Sequence, residues 1–168
     1  REFLGDYAGY LHADAYGGYE ELYALGKIQQ VSCWAHARRK FFDAQDSAPA
    51  ALVALGYLRR LYAVEHQLAD LSFRVTTRAE LEEATRKWYR ARRDARQRES
   101  LPILHEFFQW LKGLHLLPKS PLHEARQYVV SRWKSFTRYC EKGFLDIDNN
   151  LAERMVRPVA IGRKNWLF

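Results

Sequence analysis

Apolar residues follow a helical period over most of this chain and a strand-like alternation only near its start. Residues 2–11, EFLGDYAGYL, place Phe3, Leu4, Tyr7 and Leu11 on one side and predict a short amphipathic helix. Leu11 to Ala13 then read as a very short strand, with Asp14 at or just past its end. Gly17 and Gly18 supply a loop, and YEELYALG predicts a helix stopped by Gly26. Residues 28–34, IQQVSCW, alternate enough for a second strand, and AHARRKFFDA follows as a helix. A helix connects the two strands, so they are expected to be parallel.

Beyond this β–α–β unit the period is helical throughout. Residues 49–72 carry Leu52, Leu55, Leu58, Leu61, Tyr62, Leu68 and Leu71 at helical spacing. Residues 78–98 predict a second long helix with a weak seam of Leu81, Ala84, Trp88, Ala91 and Ala95, which suits an antiparallel helical hairpin. Residues 101–116 are denser in large apolar groups and are expected to pack against the main body. Pro118 and Pro121 break the chain. Residues 122–141 predict one helix with Ala125, Val129, Trp133, Phe136 and Cys140 on a stripe, ended by Gly143. A last helix is capped by Asp148 and expected to end at Pro158. The fold class is therefore α+β and mostly helical. Its three regions are a small β–α unit (1–45), a helical stretch (46–120) and C-terminal helices (121–168).

Composition narrows the partners. The chain has 168 residues, 48% of them hydrophobic and 14% aromatic, enough for a packed core. Its net charge is +7 and its pI near 9.5, a balance that favours a polyanion, of which nucleic acid is the commonest. No apolar run approaches the length of a membrane span. The opening REFLGDY has no signal-peptide pattern and no initiator Met, and reads as an internal cut from something longer. Cys33 and Cys140 are expected to be free thiols in a reducing cytoplasm.

Several residues could carry chemistry. Asp14 lies where ligands gather in open α/β sheets, at the carboxyl end of a strand, although a turn or capping Asp looks the same. The run GFLDIDNNLAERMVRPVAIGRKNWLF sets Glu153 one turn into a helix. Asp146, Asp148, Asn149 and Asn150 precede it, and Arg154, Arg157, Arg163 and Lys164 follow it. A carboxylate among cations is what a site for metal ions and phosphate oxygens requires; an exposed helix end of mixed charge has the same composition. Asp14 and Glu153 could share a site only if the helical stretch returns to the sheet. Cys33 and His36 form a C-x-x-H pair, which without a second pair reads as structural rather than zinc-binding. Arg38, Arg39 and Lys40 form a compact basic patch, either a solvated helix face or a phosphate clamp. The segment RKWYRARRDARQR, with Lys87, Arg92, Arg93 and Arg96, suits nucleic-acid backbone contact and base stacking. It equally suits a surface helix paired with Glu80, Glu82 and Glu83.

Three blocks of the chain, LHADAYGGYEEL, VSCWAHARRKFFDA and GFLDIDNNLAERMVRPVAIGRKNWLF, resemble in order and spacing the signatures of the insertion-sequence-66 family of DDE transposases. The resemblance implies a partial RNase H-like core with a long helical insertion before the final acid. It also implies two Mg²⁺ ions held by three carboxylates, with DNA, as transposon ends and target, for substrate. Asp14 matches the second acid and Glu153 the third; Cys33 and His36 match the pair that follows the second acid. The family's first acid and first three strands lie upstream of anything in this sequence, so the chain alone is expected to be inactive. A bacterial cytoplasmic location near the nucleoid, no membrane, and a homo-oligomeric intact parent are the accompanying expectations. The function so implied is metal-dependent DNA cleavage and strand transfer. A non-catalytic nucleic-acid-binding or assembly module is the alternative, and a hydrolytic nuclease would differ only in its nucleophile.

Overall fold

The computed structural model describes residues 4, 6–13, 19–68 and 75–165, with the backbone alone for residue 20 and residues 159–165. Strand β1 (Gly9–Ala13) and strand β2 (Ile28–Ser32) pair in parallel, Gly9 opposite Ile28 and Ala13 opposite Ser32. Helix α1 (Glu20–Ala24) lies between them in sequence, and Gly26, at φ 73°, turns the chain into β2. The expected helix over residues 2–11 is not formed at its C-terminal end. Gly9 sits at φ 145°, outside any helical conformation, and its N–H donates to the Lys27 carbonyl at 3.0 Å. Pairing thus starts two residues before Leu11.

Helix α2 (Trp34–Ala44) buries Trp34, Ala37, Phe41 and Ala44, one stripe of a 3.6-residue period. Helix α3 (Ala50–Leu68) buries Ala51, Ala54, Leu58, Leu61 and Val64. Leu52, at the start of the expected stripe, is instead 57% exposed. Helix α4 (Arg78–Ala95) opens with a reciprocal cap between Thr77 and Glu80. A π-helical turn, Arg96–Ser100, joins it without interruption to α5 (Leu101–Gly113). The two helices expected on either side of residues 99–100 are therefore one continuous rod. Pro102 has no N–H to give to the ladder, and the wide turn just before it accommodates that loss. Glu65 faces Arg92 and Arg96, and Tyr57 faces Phe107 and Trp110, so the rod runs antiparallel to α3.

Helix α6 (Pro121–Val130) packs on α2, burying Leu122, Ala125 and Val129. The single helix expected over 122–141 bends at Ser131–Arg132, where Arg132 leaves helical angles (φ −118°, ψ 20°). Helix α7 (Trp133–Thr137) and a 3₁₀ turn, Arg138–Cys140, follow. The bend is stabilised from across the core: Trp34 Nε1–H donates to the Phe136 carbonyl at 2.9 Å, and the Ser32 and Ser135 hydroxyls bond at 2.6 Å. Arg138 donates to the Gln30 carbonyl on β2. A cluster of aromatic rings runs through the largely aliphatic core, with Trp34 4.6 Å from Phe136 and Tyr57 5.0 Å from Phe107, centroid to centroid. Helix α8 (Asn150–Asn165) runs through Pro158 instead of ending there. Proline removes only its own N–H, and the carbonyl it frees, on exposed Arg154, can turn to solvent.

Candidate active site

The segment leading to α8 is held from the helical rod. The Arg96 guanidinium is fully buried and forms a two-point ion pair with Glu65, Nε to Oε1 at 2.7 Å and Nη2 to Oε2 at 2.6 Å. Its Nη1 donates to the carbonyls of Tyr139, Lys142 and Leu145 at 2.8, 3.2 and 2.7 Å. Arg92, also buried, donates to the Gly143 carbonyl at 3.1 Å and to Asp146 at 2.7 Å. Gly143 lies so close to α4 that a Cβ there would collide with the Tyr89 carbonyl oxygen. The Ile147 carbonyl accepts from the Trp34 N–H at 3.1 Å, and Tyr62 O–H donates to Asp148 at 2.7 Å. Burial, reinforced by that bond to Asp148, pushes the Tyr62 phenol far above its ordinary range. Asp148 also accepts from the N–H of Asn150, the first residue of α8, at 3.1 Å.

This anchoring brings α8 to the carboxyl end of the sheet. Glu153, in the first turn of α8, has its Oε1 3.5 Å from His36 Nε2 on the first turn of α2. Cys33, the N-cap of α2, is buried, and burial pushes its thiol up against the opposing pull of the backbone N–H groups of Asn149 and His36. His12, next to last in β1, is lowered by burial, with Asp146 and Asp148 acting in the other direction. His12 Nε2, His36 Nδ1 and Asn149 Oδ1 are buried with no hydrogen-bond partner among the described residues. Asp14 lies outside the described residues; its neighbour Ala13 ends β1 at this same end of the sheet. No group of three or more His, Cys, Asp or Glu among the described residues stands close enough to hold a metal ion. The described donors alone therefore do not make a metal centre.

The expected cations divide sharply. Arg38, Arg39 and Lys40 are exposed on α2, Lys40 lying 4.9 Å over the Tyr128 ring. Arg154 and Arg157 are exposed on α8, and the side chains of Arg163 and Lys164 lie outside the described residues. Lys87 is exposed 3.6 Å from Glu83, and Arg93 pairs with its neighbour Asp94 at 2.7 Å. Arg92 and Arg96 are a correction to the sequence expectation: burial commits both guanidiniums to Glu65, Asp146 and loop carbonyls, and neither is presented to a nucleic acid. Sequence reasoning missed Glu65 and His12. Glu65 had no signal, since its partners are 27 and 31 residues away. His12 did have one, because it stands two residues before Asp14 in the expected strand segment, the spacing at which side chains share a face.

Comparison with known proteins fixes the class. The model of the transposase IS66 family matches residues 1–168, and the chain belongs to that family. It is 31% identical, over its whole length, to y4hP, an uncharacterised protein of Sinorhizobium fredii. It is 33% identical over 98% of its length to y4qI of the same organism. The chain spans 31% and 30% of these relatives, about a third of their length. No solved structure gives a significant match. No helix among the described residues is long and apolar enough to cross a membrane.

Proposed function

We propose that this chain carries the last acidic residue, and with Asp14 the second, of a DDE transposase site that cuts and joins DNA ends. The observation that carries the proposal is the position of Glu153 against His36, beside the carboxyl end of β1, in a chain matched throughout by the family. In this reading the parallel pair β1–β2 belongs to an RNase H-like sheet, and residues 46–120 are an insertion that returns the chain to it. A divalent metal such as Mg²⁺, bound by Asp14, Glu153 and a further acid, would stabilise charge developing on the scissile phosphate. Residues of this chain do the rest. His36 orients the Glu153 carboxylate, and the Arg92–Arg96 clamp fixes where α8 begins. Arg38, Arg39, Lys40, Arg154 and Arg157 neutralise DNA phosphates near the carboxylate.

Those exposed cations would equally serve a non-catalytic DNA-binding or assembly module, and one pair of variants separates the two. In the full-length transposase, Glu153→Gln keeps size and helix propensity and removes the anion. The catalytic reading expects strand transfer to be lost while DNA affinity is kept or slightly raised. A binding module expects Arg38→Ala with Arg39→Ala to be the damaging change and Glu153→Gln to be silent. Transposition at the wild-type frequency with Glu153→Gln would remove Glu153 from the site.

A further inference from the structure

A groove of about 680 Å³ runs between α2 and α3 and ends at Asn150, one turn before Glu153. Its rim carries Arg38 and Arg59, with Arg39 beside it in an adjoining hollow. None of these three guanidiniums forms an ion pair with a described residue, whereas most other arginines of the helical region do. Its walls mix polar groups such as Gln45 and Tyr62 with large apolar ones. Phe42 is 55% exposed and Leu52 57%, large groups left open to solvent although a packed core lies one helix face away. At its floor is Gly56, in the middle of the 19-residue α3.

Gly56 is the informative residue. Glycine inside a helix costs stability, and it is normally kept where a neighbour approaches closely or the backbone needs a positive φ. Neither holds here. Gly56 is not at a positive φ, and a Cβ built on it meets no described residue within 4 Å. What the missing side chain leaves is space in the groove.

We infer that this groove takes an unpaired nucleotide of the DNA strand whose phosphates reach the Glu153 site. The inference rests on the function proposed above and names the form of DNA that the site receives. The charge argument selects a phosphate-bearing occupant, since Arg38 and Arg59 on the rim and Arg39 beside it have no carboxylate partner among the described residues. The shape argument selects an unpaired base. Phe42, more than half exposed where it lines the groove, offers a ring on which a free base can stack whatever its identity. Bases stacked inside a duplex offer no such face. Continuity with the site supplies the direction: Ala35 and Asn150 line the groove, and each lies within one helical turn of the His36–Glu153 contact.

The test uses this 168-residue chain and three labelled DNAs: a single-stranded 12-mer, a blunt duplex, and the same duplex with a three-nucleotide overhang. Affinities come from fluorescence anisotropy at several salt concentrations. Gly56→Leu fills the groove while improving helix propensity, so loss of fold does not confuse its reading. It is expected to weaken the single strand and the overhang about tenfold and the blunt duplex less than twofold. Phe42→Ala is expected to do the same, with Phe42→Trp restoring affinity. Arg59→Ala should reduce the salt slope on the single strand by about one. Equal affinity of wild type and Gly56→Leu for every DNA, with circular dichroism unchanged, overturns the groove assignment and leaves the family-based function standing. A uniform loss on all three DNAs also overturns it, since the groove would then be only part of a general phosphate surface. No salt-dependent binding of any DNA overturns both. Loss of self-association in Phe42→Ala, with DNA binding intact, would make the groove a protein contact and end the nucleotide assignment.

Discussion

Two sets of arginines in this protein show how little the residue type says about its work. Arg92 and Arg96 are buried in the rod formed by α4 and α5, paired with Glu65, and grip the segment that leads to α8. Arg38, Arg39 and Arg59 stand exposed around a groove with no carboxylate partner among the described residues. The sequence left both sets open, as phosphate contacts or as parts of a solvated helix face. Burial separates them. A guanidinium taken out of water must have its donors satisfied, and Arg96 meets this with one carboxylate and three carbonyls. An exposed guanidinium carries no such obligation and remains available to phosphate.

The comparison breaks most visibly at Arg96. Arg96→Ala leaves Glu65 with Arg92 as its one described cation partner and strips three carbonyls of their donor, and should cost about 3–5 kcal/mol in urea unfolding. Arg96→Lys should recover little of it, since one ammonium cannot span Glu65 and the loop carbonyls together. A loss under about 1 kcal/mol for the alanine variant would put the clamp outside the determinants of stability. Thiol chemistry offers a second view of the same region. Burial pushes the Cys140 thiol up to about 12, so iodoacetamide at pH 8 should leave it unlabelled in the folded protein and label it once urea unfolds the chain, at a lower urea concentration in Arg96→Ala.

Gly143→Ala comes next. The added methyl has no room beside the Tyr89 carbonyl, so the loop must move off α4, at a cost of about 1–3 kcal/mol. Thermal unfolding of this single variant tests whether the loop touches the rod as closely as the arginines imply. Arg38→Ala combined with Arg39→Ala should do the opposite of the clamp variants. Stability should change by less than about 0.5 kcal/mol for each, while the dependence of DNA affinity on salt falls by about two phosphate contacts. Unfolding of the double variant at room temperature would erase the distinction between the two sets. The smallest effect belongs to Arg60→Ala, which breaks the exposed pair with Glu106 and should cost about 0–1 kcal/mol.

Much of the scaffold was legible in the sequence because it depends on local period. The alternation of residues 28–34 gave β2, the glycine after Leu25 gave the turn before it, and the stripe through Ala125 and Val129 gave α6. What was not legible depends on distant partners or on one backbone angle. Gly9 starts β1 early because Lys27 accepts its N–H, which no local window reveals. Arg92 and Arg96 are internal because Glu65 faces them from another helix. Pro158 reads as a stop, yet α8 is exposed enough there to run past it. Within the candidate site, the position of Glu153 on the first turn of α8 followed from sequence, whereas its contact with His36 needed the fold.

The clamp also sets an order of assembly. Arg96 and Glu65 both leave the ribosome before the carbonyls that Arg96 receives, which lie 43 to 49 residues further along the chain. The paired fork can therefore form on the nascent α3–α4 hairpin and wait, its third nitrogen open, for the segment 139–145 to arrive. Until that capture α8 has no fixed origin and Glu153 no fixed address. Glu153 therefore takes its place only once residue 145 has emerged, which makes this corner of the candidate site one of the last parts of the chain to be ordered.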